Sequence, residues 1–168
     1  MRGFALFVAG VGMGILVMQS VVAQEGAQNG VPNDTGMKLN HVAIFVKNFD
    51  AEIAYYTKSM GFREAFAFRE PNGAPILTYL QISRDTFLEI QPATAEHPAG
   101  FSHVGIEMTD AKVTVPRLRR MGVKVNDATP SVNSGALLTN EIDPEGIRTE
   151  LLEFGPTSRQ RKAINAWK

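Results

Sequence analysis

The sequence contains no cysteine. The chain therefore forms no disulfides, offers no thiolate to a metal, and has no N-terminal cysteine to acylate as a lipoprotein would. Lysine and arginine together number 17, as do aspartate and glutamate, so the formal net charge is +0. No dense basic patch stands out, and binding to nucleic acid requires one, so we expect no nucleic-acid partner. Histidine is scarce as well, at three residues, which makes its placement informative.

The first 23 residues differ in composition from the rest of the chain. Arg2 is their only charge, an apolar run follows over residues 3–18, and small residues precede position 24. This order is typical of a secretory signal peptide and predicts cleavage after Ala23, with a secreted or periplasmic location. The alternative is an uncleaved N-terminal anchor helix. After cleavage we expect no stable membrane association, and residues 24–37 are predicted to be a flexible linker.

The remainder of the chain contains an internal repeat. The segment LNHVAI at residues 39–44 has a counterpart, FSHVGI, at residues 101–106, and a Met-Gly pair follows each of them. Glu89 lies 48 positions after His41, and Glu150 lies 47 positions after His103. Because several unrelated markers keep one register, the sequence predicts two similar modules, at residues 38–95 and 100–154.

Each module has the pattern strand, helix, strand, strand, strand, so we expect an α+β fold. In the first module the strands are predicted near residues 39–46, 62–69, 75–82 and 86–91. Its helix is predicted near residues 50–60, with Asp50 as the N-terminal cap and Gly61 as the stop.

In the second module the strands are predicted near residues 101–108, 123–127, 136–142 and 147–154. Its helix is harder to place, because Pro116 would interrupt a helix that starts at Asp110. Either the helix begins late, with Thr114 as its cap, or it is kinked. The tail, residues 155–168, is either a docking helix or a frayed end.

Strand periodicity indicates which side chains meet. Side chains alternate between the faces of a strand, so the apolar residues Val42 and Ile44 face a core and His41 faces the opposite side. The same phase turns His103, Glu89 and Glu150 inward. If the modules pair about a pseudo-twofold axis, two imidazoles and two carboxylates converge in one cavity.

Two converging carboxylates favour a bound cation, because without one a carboxylate would have to hold a proton. The sequence therefore predicts one divalent metal ion bound by His41, Glu89, His103 and Glu150. Two nitrogens and two oxygens suit Ni, Co, Zn, Mn or Fe. Four protein ligands leave coordination positions open, which indicates a working site rather than a purely structural one.

These residues give the chain a recognisable resemblance. It resembles the vicinal oxygen chelate superfamily, which includes glyoxalase I, bleomycin-resistance proteins, methylmalonyl-CoA epimerase and extradiol dioxygenases. The similar segments are LNHVA at residues 39–43, YYTKSMGF at residues 55–62 and DPEGIRTEL at residues 143–151. The resemblance implies paired βαβββ modules that form a curled mixed sheet around a metal cavity. The cavity lies within one chain or between two, so a homodimer is an open alternative.

The resemblance is closest to glyoxalase I-like members and implies a metal-dependent lyase or isomerase. Such an enzyme moves a proton on a small oxygen-chelating substrate, with Glu150 as the first choice for the proton carrier and Glu89 as the second. The alternation of side chains along the strands, together with side-chain charge, indicates three candidate substrate-binding residues: Arg148, Tyr79 and Arg69.

Two other functions stay open. One is an Fe(II) extradiol-type dioxygenase, which needs only His41, His103 and Glu150 as ligands. The other is a non-catalytic protein that binds a small molecule, as resistance proteins do. The predicted export argues against glutathione as a cosubstrate.

Overall fold

The computed structural model describes residues 35–168. The predicted signal peptide and most of the predicted linker lie outside the described residues. Along the described chain the elements are β1 (Met37–Val46), α1 (Phe49–Ala54), a π-helical turn (Tyr55–Ser59), β2 (Arg63–Arg69), β3 (Pro75–Gln81), β4 (Phe87–Pro92), β5 (Gly100–Met108), α2 (Ala111–Arg120), β6 (Thr129–Pro130), β7 (Leu137–Ile142), β8 (Arg148–Glu153) and α3 (Arg159–Asn165). None of the helices over residues 35–168 is long and apolar enough to cross a bilayer.

The strands form one eight-stranded sheet in the order β2-β3-β4-β1-β5-β8-β7-β6. In each half the first strand pairs in parallel with the last, β1 with β4 and β5 with β8. The halves join through the antiparallel pair β1 and β5, in which Val42 lies opposite Val104. This arrangement relates the two halves by a pseudo-twofold axis and confirms the predicted α+β class with a mixed sheet.

The sheet curls, because residues from its two ends share one apolar cluster. Tyr79 on β3 packs in that cluster with Leu152 on β8, although three strands lie between β3 and β8 in the sheet order. Each half also has an outer core beneath its own helix. Phe49 of α1 packs with Leu80 and Ile90, and Val115 of α2 packs with Leu151 and Met108. The faces assigned from strand periodicity are therefore the observed ones.

The helix of the first half starts one residue earlier than predicted. Its cap is Asn48, whose side chain accepts a hydrogen bond from the Ala51 amide at 3.2 Å, so the assignment of Asp50 as the cap is wrong. Phe49 is the first helical residue and is buried, so the helix begins before Asp50. Asp50 therefore lies in the first turn. There its negative charge interacts favourably with the positive end of the helix dipole. The predicted stop at Gly61 is confirmed, with a φ of 75° that suits glycine.

The second helix begins at Ala111, so the alternative with Thr114 as its cap is wrong. Asp110 caps it by accepting hydrogen bonds from the Lys112 and Val113 amides at 2.8 and 3.3 Å. Pro116 therefore lies inside α2. Its missing N–H would have reached the carbonyl of Lys112, an exposed residue, and water can replace that bond there.

The strand predicted at residues 123–127 is wrong, since the only pairing in that region is the short β6. Val125 instead lies buried beneath a loop, in the outer core of the second half. In this loop, side chains rather than a neighbouring strand form hydrogen bonds with backbone carbonyls. Arg119 donates to the carbonyl of Val125 at 2.8 Å, and Thr139 donates to that of Asn126 at 3.0 Å.

The tail is a docked helix rather than a frayed end. Ser158 caps α3, and Ala163 and Ile164 pack in the inner apolar cluster with Tyr79. The Arg63 guanidinium donates to the carbonyls of Ala163 and Ala166, each at 3.1 Å. Because of these contacts α3 covers part of the inner face of the curled sheet.

Candidate metal centre

Four side chains converge on the inner face of the sheet. His41, Glu89, His103 and Glu150 each offer one ligand atom, and these four atoms all lie within 4.8 Å of one another. The two Nε2 atoms of His41 and His103 are 3.1 Å apart. From His41 Nε2 to the Oε2 atoms of Glu89 and Glu150 the distances are 3.4 and 3.5 Å. From His103 Nε2 the same two distances are 3.8 and 3.6 Å.

These separations suit a single cation. Ligand atoms that bind one metal at about 2.1 Å lie about 3.0 Å apart at right angles and about 3.4 Å apart in a tetrahedron. The donor chemistry agrees, because two neutral imidazoles and two carboxylates complement the charge of a divalent ion. The longer separations, up to 4.8 Å, would have to shorten on coordination.

The strand register explains why the four side chains meet. Glu89 on β4 lies opposite Ala43, and Glu150 on β8 lies opposite Gly105. Across the junction of the halves, Ala43 also lies opposite His103, and Gly105 lies opposite His41. A small residue thus stands at the centre of each half, which leaves space for the ligands.

The outer nitrogens of the two histidines have hydrogen-bond partners. Nδ1 of His41 lies 3.0 Å from Oδ1 of the buried Asn40, whose Nδ2 donates to the carbonyl of Asp85 at 3.2 Å. This bond fixes the Asn40 amide as an acceptor toward His41. With a metal bound, Nδ1–H would donate to it and the lone pair of Nε2 would point at the centre, as is usual for a ligating histidine.

His103 is oriented in a similar way, with an added cation nearby. Its Nδ1 lies 3.0 Å from the Ser102 hydroxyl, which can accept its proton. Nη2 of Arg148 also contacts this Nδ1, while Nη1 of Arg148 donates to Oδ1 of Asn140 at 3.0 Å. A guanidinium can only donate hydrogen bonds. Arg148 therefore competes with the Ser102 hydroxyl for the hydrogen bond to Nδ1 of His103.

The two carboxylates have different surroundings. Without a metal, burial alone would raise the pKa of Glu150, but hydrogen bonds from His103 and His41 and their electrostatic attraction outweigh it and hold the pKa at about 2. Glu89 accepts a hydrogen bond from Nε2 of Gln91 and is the more buried carboxylate, at 4% side-chain exposure against 12% for Glu150. Glu150 is therefore the carboxylate that faces the open side of the centre.

The centre borders a cavity of about 250 Å³. Its lining residues are Phe68, Leu77, Tyr79, Glu89, Gln91, His103, Ser131, Asn133, Ser134, Leu138, Arg148, Glu150, Leu152 and Gln160. Of the three candidate substrate-binding residues, Tyr79 and Arg148 line this cavity. Arg69 does not line the cavity, since it is the exposed last residue of β2 and donates to the carbonyl of Gly73 at 3.1 Å.

Tyr79 lies within the cavity wall against the metal ligands. Its hydroxyl is 3.5 Å from Nε2 of His41, and its ring packs edge-on against the imidazole. Burial raises the pKa of Tyr79 well above its usual value, and the charges of Glu89 and Glu150 raise it further. The hydroxyl therefore stays protonated and can act as a hydrogen-bond donor within the cavity.

Two glutamines of the cavity were missed by the sequence analysis. Gln91 follows Glu89 by two positions, so the alternation of strand faces would have placed it inward. Gln160 belongs to α3, which has no counterpart in the repeat, and no sequence signal pointed to it.

Comparison with known proteins agrees with this architecture. The Glyoxalase/Bleomycin resistance protein/Dioxygenase superfamily profile matches residues 38–151, and the chain belongs to this superfamily. A probable chloroplastic lactoylglutathione lyase from Arabidopsis thaliana is 29% identical over 142 residues. That match covers 80% of this chain, and the chain spans only 40% of the length of that relative.

Solved structures share the fold. Methylmalonyl-CoA epimerase from Mycobacterium tuberculosis is 18% identical, with a TM-score of 0.59 over 70% of this chain and 88% of its own. A variant of the Streptomyces coelicolor epimerase, bound to 2-nitronate-propionyl-CoA, is 20% identical, with a TM-score of 0.59 over 72% and 96% of the two chains. At these identities the similarity establishes the fold alone.

Proposed function

We propose that this protein is a divalent-metal-dependent enzyme of the glyoxalase-like kind, which moves a proton on a small oxygen-chelating substrate. One observation carries the proposal: His41, Glu89, His103 and Glu150 place four ligand atoms within 4.8 Å of one another, at the edge of a cavity. The names of the similar proteins, a lyase and an epimerase, belong to the reaction classes proposed here.

The residues of the centre divide into two roles. A bound divalent ion would polarise a substrate carbonyl and so acidify the adjacent C–H bond. His41, His103 and Glu89 would hold the ion, since Glu89 is almost fully buried and is tied to Gln91. Glu150 is the more accessible carboxylate and stays ionised at neutral pH, so it is the first choice to accept the substrate proton, with Glu89 the second.

The cavity limits the substrate to a small molecule. Its volume of about 250 Å³ suits a compound of a few carbon atoms with vicinal oxygens. The Tyr79 hydroxyl can donate to a substrate oxygen, and the Arg148 guanidinium can pair with a carboxylate or a polarised carbonyl. Phe68, Leu77 and Leu138 supply the apolar side of the cavity.

Metal content tests the proposal first. The purified protein and a Glu89→Ala, Glu150→Ala double variant are analysed by mass spectrometry after reloading with Ni, Co, Zn, Mn or Fe. A matched control is the Glu64→Ala, Glu145→Ala double variant, which removes the same charge from exposed positions. We expect about one equivalent of metal in the wild type and the control, and loss of it in the site variant.

Proton transfer is tested next on α-hydroxycarbonyl compounds. In D₂O the loaded enzyme should exchange the C–H next to the carbonyl, seen by proton NMR, and Glu150→Gln should abolish the exchange. Absence of bound metal in the reloaded wild type contradicts the enzyme and leaves a metal-free binding protein. Oxygen consumption with a catechol after anaerobic iron loading would instead identify a dioxygenase.

A further inference from the structure

A buried glutamine of the C-terminal helix faces the cavity without a partner. Gln160 has 0% exposure and lines the cavity together with Glu89, His103 and Glu150. Within residues 35–168 neither its Oε1 nor its Nε2 has a hydrogen-bond partner. Burial of an unpaired amide lowers stability, because the group loses its bonds to water and gains none in return.

Docking of α3 does not require this glutamine. The helix is held by Ala163 and Ile164 in the inner cluster and by an ion pair between Arg161 and Glu107 at 2.8 Å. An apolar side chain at position 160 would fill the same space without the cost of desolvation. The polar group therefore needs an explanation other than helix packing.

The surroundings of Gln160 point toward the metal centre. Gln160 and Tyr79 line the same cavity as Glu89 and His103. The Tyr79 hydroxyl is in turn 3.5 Å from Nε2 of His41. A small molecule in this cavity can therefore contact both the metal centre and this amide.

We propose that Gln160 is a specificity-determining residue that binds the substrate beyond its metal-chelating oxygens, an inference that rests on the function proposed above. A primary amide both donates and accepts, so it pairs best with a neutral group that does the same. The substrate class is accordingly an oxygen chelator that also carries a hydroxyl or carboxamide. A substrate with a methyl group in place of that hydroxyl or carboxamide would leave the Gln160 amide unpaired.

Two hydroxamates and two variants test this role. Glycolohydroxamate and propionohydroxamate have equal numbers of non-hydrogen atoms and differ by a hydroxyl in place of a methyl. The test variant is Gln160→Met. The matched control is Gln81→Met, at a glutamine with 1% exposure whose Nε2 donates to the Arg84 carbonyl at 2.8 Å and whose Oε1 accepts from Arg63. Gln81 is absent from the cavity lining.

Calorimetric Kd values on metal-loaded protein and Tm values on metal-free protein are the readouts. We expect wild type to bind glycolohydroxamate roughly five- to tenfold more tightly than propionohydroxamate, as one added hydrogen bond would give. Gln160→Met should lose this preference, keep its metal, and have an equal or higher Tm. Gln81→Met should have a lower Tm and keep the preference.

Two results would overturn the role of Gln160. One is an unchanged preference in Gln160→Met, and the other is a fall in its Tm as large as that of Gln81→Met, which would make the residue structural. If wild type binds neither metal nor hydroxamate, the proposed function fails and the Tm comparison decides alone. A higher Tm for metal-free Gln160→Met then supports a ligand-binding amide, and a lower Tm refutes it.

Discussion

The imidazole of His41 lies over Gly105, at the position that a Cβ atom on residue 105 would occupy. The two residues are neighbours across the antiparallel pair β1 and β5, and Gly105 is also opposite Glu150 on β8. Any side chain at position 105 therefore meets the imidazole of a metal ligand. The requirement for glycine here is steric and does not come from an unusual backbone angle.

Gly105→Ala should displace His41 and weaken metal binding. We expect metal content to fall from about one equivalent to a small fraction, because His41 has strand neighbours on both sides and cannot turn away without leaving the centre. Mass spectrometry of the reloaded variant measures this. Gly155→Ala is the control, since a Cβ there meets no atom within 4 Å. Full metal content in Gly105→Ala would contradict the steric argument.

The acid stability of the metal-free protein should depend on Glu150. The pKa of this residue is lowered from 4.5 to about 2 in the folded protein. Between these values the unfolded chain binds more protons, so the stabilisation is complete above about pH 4.5 and is lost as the pH falls toward 2.

Glu150→Gln removes this titration. In the metal-free variant the free energy of unfolding should decline less steeply on acidification, by up to about 1.4 kcal/mol per pH unit. Urea unfolding at several pH values between 5 and 3 measures the slope, with Glu145→Gln as the exposed control. Equal slopes in wild type and Glu150→Gln would refute the assigned pKa.

Tyr79 should not ionise while the protein is folded. The chain has three tyrosines, and Tyr79 is the one whose pKa is raised well above 10 by burial and by the charges of Glu89 and Glu150. In an alkaline titration of the folded protein followed by absorbance, Tyr79→Phe should leave the amplitude unchanged. A smaller amplitude in Tyr79→Phe would contradict burial of the hydroxyl.

Stability should also fall as the pH rises above 10. The unfolded chain releases the Tyr79 proton there and the folded chain keeps it, so deprotonation favours unfolding. Tyr79→Phe should flatten this alkaline decline.

Much of the candidate site was predictable because each of its His and Glu positions occurs twice, once in each half of the repeat. His41 and His103 lie in the same motif, and strand alternation turns both inward, which is the arrangement observed. The small residues within those motifs, Ala43 and Gly105, have a role that only the register of three neighbouring strands reveals. Gln160 could not be predicted from the sequence, because it belongs to a helix outside the repeat. Only the docking of that helix brings it to the cavity.

The errors in the fold have local causes. Val123 and Val125 alternate with polar residues, as a strand would, but this alternation places Val125 in the core beneath a loop. Pro116 obscured the start of α2, although the capping signal of Asp110 was present in the sequence. At both positions a tertiary contact or a side-chain hydrogen bond outweighs local propensity.

The last prediction concerns Arg148, which contacts Nδ1 of His103 and lies 3.6 Å from Oε1 of Glu150. A histidine that binds a metal through Nε2 carries its proton on Nδ1, so this nitrogen and the guanidinium would both donate. Metal binding should therefore turn Arg148 away from His103, toward Glu150, Asn140 or a bound anion.

Arg148→Gln removes both the competing donor and a positive charge beside the cation. We expect the affinity for Zn to rise roughly tenfold and the affinity of the loaded protein for oxalate, an anionic oxygen chelator, to fall roughly tenfold. Competition with a chromophoric chelator measures the first and calorimetry the second. Arg69→Gln, which changes an exposed arginine outside the cavity lining, should alter neither. Weaker Zn binding in Arg148→Gln would mean that Arg148 supports His103 as a ligand, and the guanidinium would then be a positioning residue rather than an anion-binding one.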